Sequence, residues 1–193
     1  MNVHGSLSIE KEPGRWSRSL SDGYLAVAAV GILSGIVVAY ARTPMHLPGH
    51  KAIWWMTPVL AARLVTRTRA GASAGALATA MTTLLLGGRI AGGIVQFPLV
   101  ILAGVVLDLG VQMGERHRSS LWRKVLLLVL AGLVANLICF VKRLADPIGA
   151  FFSTGNLDDM LIAGSLHAAF GCLAGLLGAG AGYALLRVRS ASS

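Results

Sequence analysis

Residues 23–40, 70–86, 125–141 and 160–186 contain no Asp, Glu, Lys or Arg. A helix crosses a hydrocarbon core of about 30 Å with about 20 predominantly apolar residues. Inside that core every backbone N–H and C=O must be satisfied within the segment. Repeated uncharged stretches of this length restrict the chain to an all-α integral membrane bundle. A mean hydropathy of +0.70, with only 13% charged residues in 193, agrees with that reading.

Six transmembrane helices are read from the pattern, at about residues 23–40, 53–64, 70–86, 94–113, 125–141 and 160–186. The second is short for a span. It can be completed with Trp54 and Trp55 in one interface and Arg63, Arg67 and Arg69 in the other. Residues 1–22 are polar and lack the apolar core of a cleavable signal, so they read as a cytoplasmic tail ahead of a 23–186 membrane domain. Residues 187–193 read as a second short cytoplasmic tail. Cys139 and Cys172 both fall inside predicted spans, where a thiol reads as a packing group.

The basic residues set the expected orientation. With both termini inside, Lys11, Arg15, Arg18, Arg63, Arg67, Arg69, Arg116, Arg118, Arg123, Lys124, Arg187 and Arg189 are cytoplasmic, twelve of the 17. Arg42, Lys51, Arg89, Lys142 and Arg143 remain outside, a bias that favours an N-in, C-in chain. The formal charge of +9 is then a topology signal rather than a nucleic-acid footprint. It also brings the connections near residues 43–55, 87–93 and 142–159 to one outward face.

The first of these connections holds the candidate chemistry. Between Thr43 and Trp55 lie His46, Pro48, Gly49, His50, Trp54 and Trp55, with the prolines and glycine shaping a loop rather than a helix. Its imidazoles could touch an organic solute or hold a metal ion, or could be structural. Metal coordination would need further ligands, with His167, Met45, Asp158 and Asp159 as candidates. His167 lies about two turns into the sixth span, at a depth that suits a cavity beneath the loop, although a backbone carbonyl could equally satisfy it. Gln96 lies at the expected mouth of the fourth span. Asn136 reads as an interhelical hydrogen bond, and Asp108, costly near the membrane centre, reads as a partner for Arg63. Asp158 and Asp159 suit the dipole at the start of the sixth helix.

Small residues repeat every four positions at Gly31, Gly35 and Ala39, at Gly71, Gly75 and Thr79, and at Gly171, Gly175 and Ala179. In lipid such stripes let backbones approach closely. The first is equally suited to packing within the bundle and to docking a partner. Nucleotide-binding Gly-rich loops, His-Glu-x-x-His and Cys-x-x-Cys are absent from the sequence, so ATP-driven work would require another subunit.

The span count, the N-in and C-in topology, the length, the Gly/Ala-rich third span after Trp54-Trp55-Met56 and the loop ending in Pro48-Gly49-His50 together resemble the substrate-binding S components of energy-coupling factor transporters. The resemblance covers nearly the whole chain. It implies a multi-pass protein of the bacterial cytoplasmic membrane, without enzymatic activity or a cofactor of its own. Such a protein captures a vitamin-like solute under its outward loops and works with a membrane coupling subunit and ATPase subunits. On that resemblance, His46, His50, Trp54, Gln96 and His167 contact solute, and Gly31, Gly35 and Ala39 dock the partner. The sequence departs from the family in lacking its Ala-x-x-x-Ala signature on the first helix and the Met-His N-terminus of the nickel and cobalt branch. The residues alone also permit a small metal-handling membrane protein or enzyme built on the outward histidines, or a scaffold subunit with no ligand.

Overall fold

The structure, a computed structural model, describes residues 14–40, 47–87, 96–116, 120–145 and 157–192. Among these residues there are six helices and no strand: α1 Gly14–Tyr40, α2 Lys51–Thr66, α3 Gly71–Leu85, α4 Gln96–Arg116, α5 Leu121–Ala145 and α6 Leu157–Ala191. The chain is an all-α bundle. Four of its segments, Ser21–Tyr40, Gln96–Arg116, Leu121–Val141 and Asp158–Ala191, are long and apolar enough to cross a membrane. Large apolar side chains such as Leu25, Leu33, Leu85 and Leu161 point outward from the bundle, as a lipid-facing surface requires.

Neighbouring helices close a ring in the spatial order α1, α3, α4, α5, α6, α2 and back to α1, with α2 also reaching across to α3 and α4. The helices alternate in direction. The end where α1, α3 and α5 finish and α2, α4 and α6 begin is termed the mouth end below, and the opposite end the base.

Small residues hold the ring together. A Cβ on Gly132 would lie 2.4 Å from the carbonyl oxygen of Gly171, so α5 and α6 meet backbone to backbone. Gly31 meets α3 in the same way, a Cβ there falling 2.3 Å from the carbonyl oxygen of Gly75. Thr79 Oγ1 seals that contact by donating to the Gly31 carbonyl at 2.9 Å. In lipid, where apolar burial gives one helix no preference for another over acyl chains, such close van der Waals contact is the main source of association.

Two helices depart from the lengths that composition suggests. Helix α1 begins at Gly14, well before the apolar stretch, and α6 continues through Arg187 and Arg189 to Ala191, so both run into segments expected as polar tails. Hydrophobicity marks where lipid begins, not where helical hydrogen bonding stops. Helices α2 and α3 are short, at 16 and 15 residues, or roughly 24 and 22 Å at 1.5 Å per residue. For α2 the cause is a loop that starts it inside the bundle.

Candidate functional site

Gly49 lies directly on α6, where a Cβ would fall 2.8 Å from the Cα of His167, and its φ of +82° is a conformation that glycine adopts without strain. His167 is ten residues into α6, so the loop tip sits roughly 15 Å below the mouth-end tip of that helix. Asn136 on α5 pins it there: its Nδ2 donates to the His167 carbonyl at 2.7 Å and to the Gly49 carbonyl at 3.3 Å. Helix α2 then starts with its first amides turned back on the loop, Ala52 N to Gly49 O at 3.1 Å and Ile53 N to His50 O at 3.2 Å.

Beside this loop is a cavity of about 370 Å³. All six helices contribute: Val38 from α1, Lys51, Ala52 and Trp55 from α2, Thr79 and Thr83 from α3, Gln96 and Val100 from α4, Asn136, Cys139 and Phe140 from α5, and His167 from α6. Leu47, Pro48, Gly49 and His50 also line it. Its chemistry is that of a small-molecule pocket, apolar and aromatic surface with a few convergent polar groups.

Both described histidines are anchored to backbone. His167 Nδ1 is 2.9 Å from the Ala163 carbonyl, which places the proton on Nδ1 in the neutral ring, and the ring tilts against Phe140 at a centroid distance of 5.0 Å. His50 Nδ1 bonds the Leu47 carbonyl, and its ring meets Phe170 edge to face at 6.5 Å. Among the described residues no group of three or more His, Cys, Asp and Glu is placed to hold a metal ion.

Comparison with protein-family models, curated proteins and solved structures finds no match to this chain.

Of the residues expected at the site, His50, Gln96 and His167 come together around the cavity, and His46 lies outside the described residues. Trp54 does not belong to the wall. It is 41% exposed, while the adjacent Trp55, 5% exposed, faces the cavity. Successive helical residues point about 100° apart, and in a helix apolar on most sides the sequence does not say which tryptophan turns inward. Thr79, Thr83 and Phe140 also join the wall unanticipated, since only the ring arrangement brings them together. Asn136 makes the interhelical bond that a polar side chain in an apolar span suggests, and also faces the cavity.

The stripe expected to dock a partner is used within the chain. Gly31 and Gly35 are buried against α3, a Cβ on Gly35 falling 2.7 Å from the Cβ of Thr82, and Ala39 is half-buried. A contact surface already filled by α3 does not dock a second protein without opening the bundle.

Toward the base, Asp108 on α4 satisfies a separate cluster. Its Oδ1 accepts from Arg63 Nε and the Ala72 amide, each at 3.0 Å, and its Oδ2 accepts from the Ser73 amide at 2.8 Å and Ser73 Oγ at 2.7 Å. The N-cap of α3 is Ala70, which has no capping side chain, so a carboxylate from another helix supplies the cap. Arg63 is thus a buried ion-pair partner rather than an arginine reaching for the interface. Among the described residues its Nη1 makes no hydrogen bond and lies 3.8 Å from Glu115 Oε1. Gln112 Nε2 donates to the Arg69 carbonyl at 3.1 Å. Asp158 and Asp159 are exposed in the first turn of α6.

Proposed function

We propose that this chain is a solute-capturing membrane subunit of an energy-coupling-factor type importer. It holds a small, vitamin-like nutrient in the mouth-end cavity and delivers it inward when ATPase subunits act through a membrane coupling subunit. The carrying observation is the cavity itself, about 370 Å³, walled by all six helices and a loop folded into the bundle. That volume is at the small end of the roughly 300–1,000 Å³ of ligand pockets. Trp55, Phe140, Val38 and Val100 offer apolar faces, and Gln96, Asn136 and the two threonines offer directed polar contacts.

In this reading all six helices cross the bacterial cytoplasmic membrane with both termini inside, and the mouth opens outward. Capture needs no nucleotide, because the wall is formed within one chain. Inward release requires the loop tip to leave its seat on His167, a movement that breaks the Asn136 bonds and that a partner's stroke would drive. With Gly31 and Gly35 occupied by α3, the partner docks elsewhere on the bundle. The test is a thermal-shift and calorimetric screen of the detergent-purified chain against water-soluble nutrients, with recovery of ATPase subunits from the native membrane. Stoichiometric, ATP-independent binding of one small solute together with co-purifying ATPase subunits is expected. A screen without any stabilising solute and a purification without ATPase subunits would sink the reading.

A further inference from the structure

The two amide side chains at the cavity are oriented the same way. Asn136 commits its nitrogen to the carbonyls of His167 and Gly49, and Gln96 commits its nitrogen to the Cys139 carbonyl at 3.5 Å. Turning either amide over would set its oxygen against carbonyl oxygens, so these contacts fix which end is the acceptor. Among the described residues Asn136 Oδ1 accepts no hydrogen bond and Gln96, apart from a side-chain contact with the Cys139 thiol, keeps its oxygen available, although the residues are only 3% and 8% exposed. Both residues line the cavity.

The threonines add to the same bias. Thr79 donates its hydroxyl proton to the Gly31 and Gly75 carbonyls and Thr83 donates to the Thr79 carbonyl, so each oxygen is left with acceptor capacity. Residues 136 and 139 are one turn apart on α5, roughly 4.5 Å along its axis on the same face. Gln96 is anchored at the second position and Asn136 occupies the first, so both amides reach the cavity beside one face of α5.

Charge selects among possible donors. No Asp or Glu lines the cavity among the described residues, and its one permanently charged side chain is the cationic Lys51. Against the described wall an ammonium or guanidinium would be desolvated without a counter-ion. We propose that the cavity selects a neutral ligand with paired N–H donors, of the ureide, lactam or imide class, against cations and against N-alkylated counterparts. This rests on the solute-binding reading above and narrows it to a substrate class.

Three probes of one ring size separate the terms: ethyleneurea with two N–H donors, its N,N′-dimethyl derivative with none, and the corresponding cyclic guanidinium. Ligand-observed NMR titration of the purified full chain is expected to show ethyleneurea binding about tenfold more tightly than either of the others. In Gln96→Leu the preference over the dimethyl derivative shrinks, and Gln96→Met, closer in length and also without an acceptor, serves if the leucine variant does not fold. Equal binding of ethyleneurea and its dimethyl derivative by the wild type would overturn donor selection while leaving solute binding intact. A preference for the guanidinium would overturn neutrality, and an undiminished preference in Gln96→Met would overturn the acceptor assignment. Binding of none of the three, with no solute found in the nutrient screen, would overturn this proposal together with the reading beneath it.

Discussion

Asp108 satisfies a buried arginine and the first turn of α3 at once, so its removal has two costs. Asp108→Ala leaves Arg63 charged at 1% side-chain exposure with only the 3.8 Å contact to the exposed Glu115, and leaves the Ala72 and Ser73 amides uncapped. The expected loss is about 3–5 kcal/mol, read by denaturant unfolding of the detergent-solubilised protein. The double variant Arg63→Met/Asp108→Leu is expected to lose less than Asp108→Ala alone, because no uncompensated charge remains. This pairing is legible in the sequence, since two opposite charges in separate spans each need a partner. The capping of α3 is not, because Ser73 and the Ala72 amide carry no charge that demands a partner and their meeting with Asp108 depends on how α3 and α4 pack. The tryptophans illustrate the same boundary. A Trp-Trp pair announces an aromatic contribution, but the rotation of α2 about its axis, set by the packing of Leu60 and Leu64 against Gly178 and Gly182 of α6, decides that Trp55 and not Trp54 reaches the cavity.

At the scale of elements, the placement of the 47–50 loop explains why α2 is too short to span alone. Gly49→Ala puts a methyl group 2.8 Å from the His167 Cα at a positive φ, and is expected to cost about 1–3 kcal/mol in an unfolding titration while also weakening solute retention. Helix contacts respond to the same logic. Gly175→Val on α6 would press on the Leu128 carbonyl, 2.5 Å from the new Cβ, and should destabilise by about 1–3 kcal/mol. Gly180→Ala on the same helix meets nothing within 4 Å and should be neutral or stabilising by up to about 1 kcal/mol. The small-residue stripes were visible as repeats every four residues. Which helix each would meet was not, because spacing reveals that a face is smooth but not what lies against it. For Gly31 and Gly35 the answer is α3, and that removes them as a docking surface.

For the whole molecule, the bundle was legible from the uncharged stretches, whereas its closed ring was not. The order α1, α3, α4, α5, α6, α2 brings residues far apart in sequence to one cavity, and only that order makes neighbours of Thr79, Gln96 and His167. In a background lacking Cys139 and Cys172, a membrane-impermeant maleimide applied to intact cells should modify Asp159→Cys at the mouth end and spare Ser192→Cys at the base. The reverse pattern would invert the proposed direction of transport. Whether the mouth-end cavity holds a small solute is read by equilibrium dialysis of the purified chain against a nutrient mixture, with mass spectrometry of what is retained and with Trp54→Ala and Trp55→Ala run beside the wild type. One small molecule is expected to be retained in near equimolar amounts by the wild type and by Trp54→Ala, and lost from folded Trp55→Ala. Solute binding in this cavity is refuted if the wild type retains nothing, or if retention depends on Trp54 and not on Trp55.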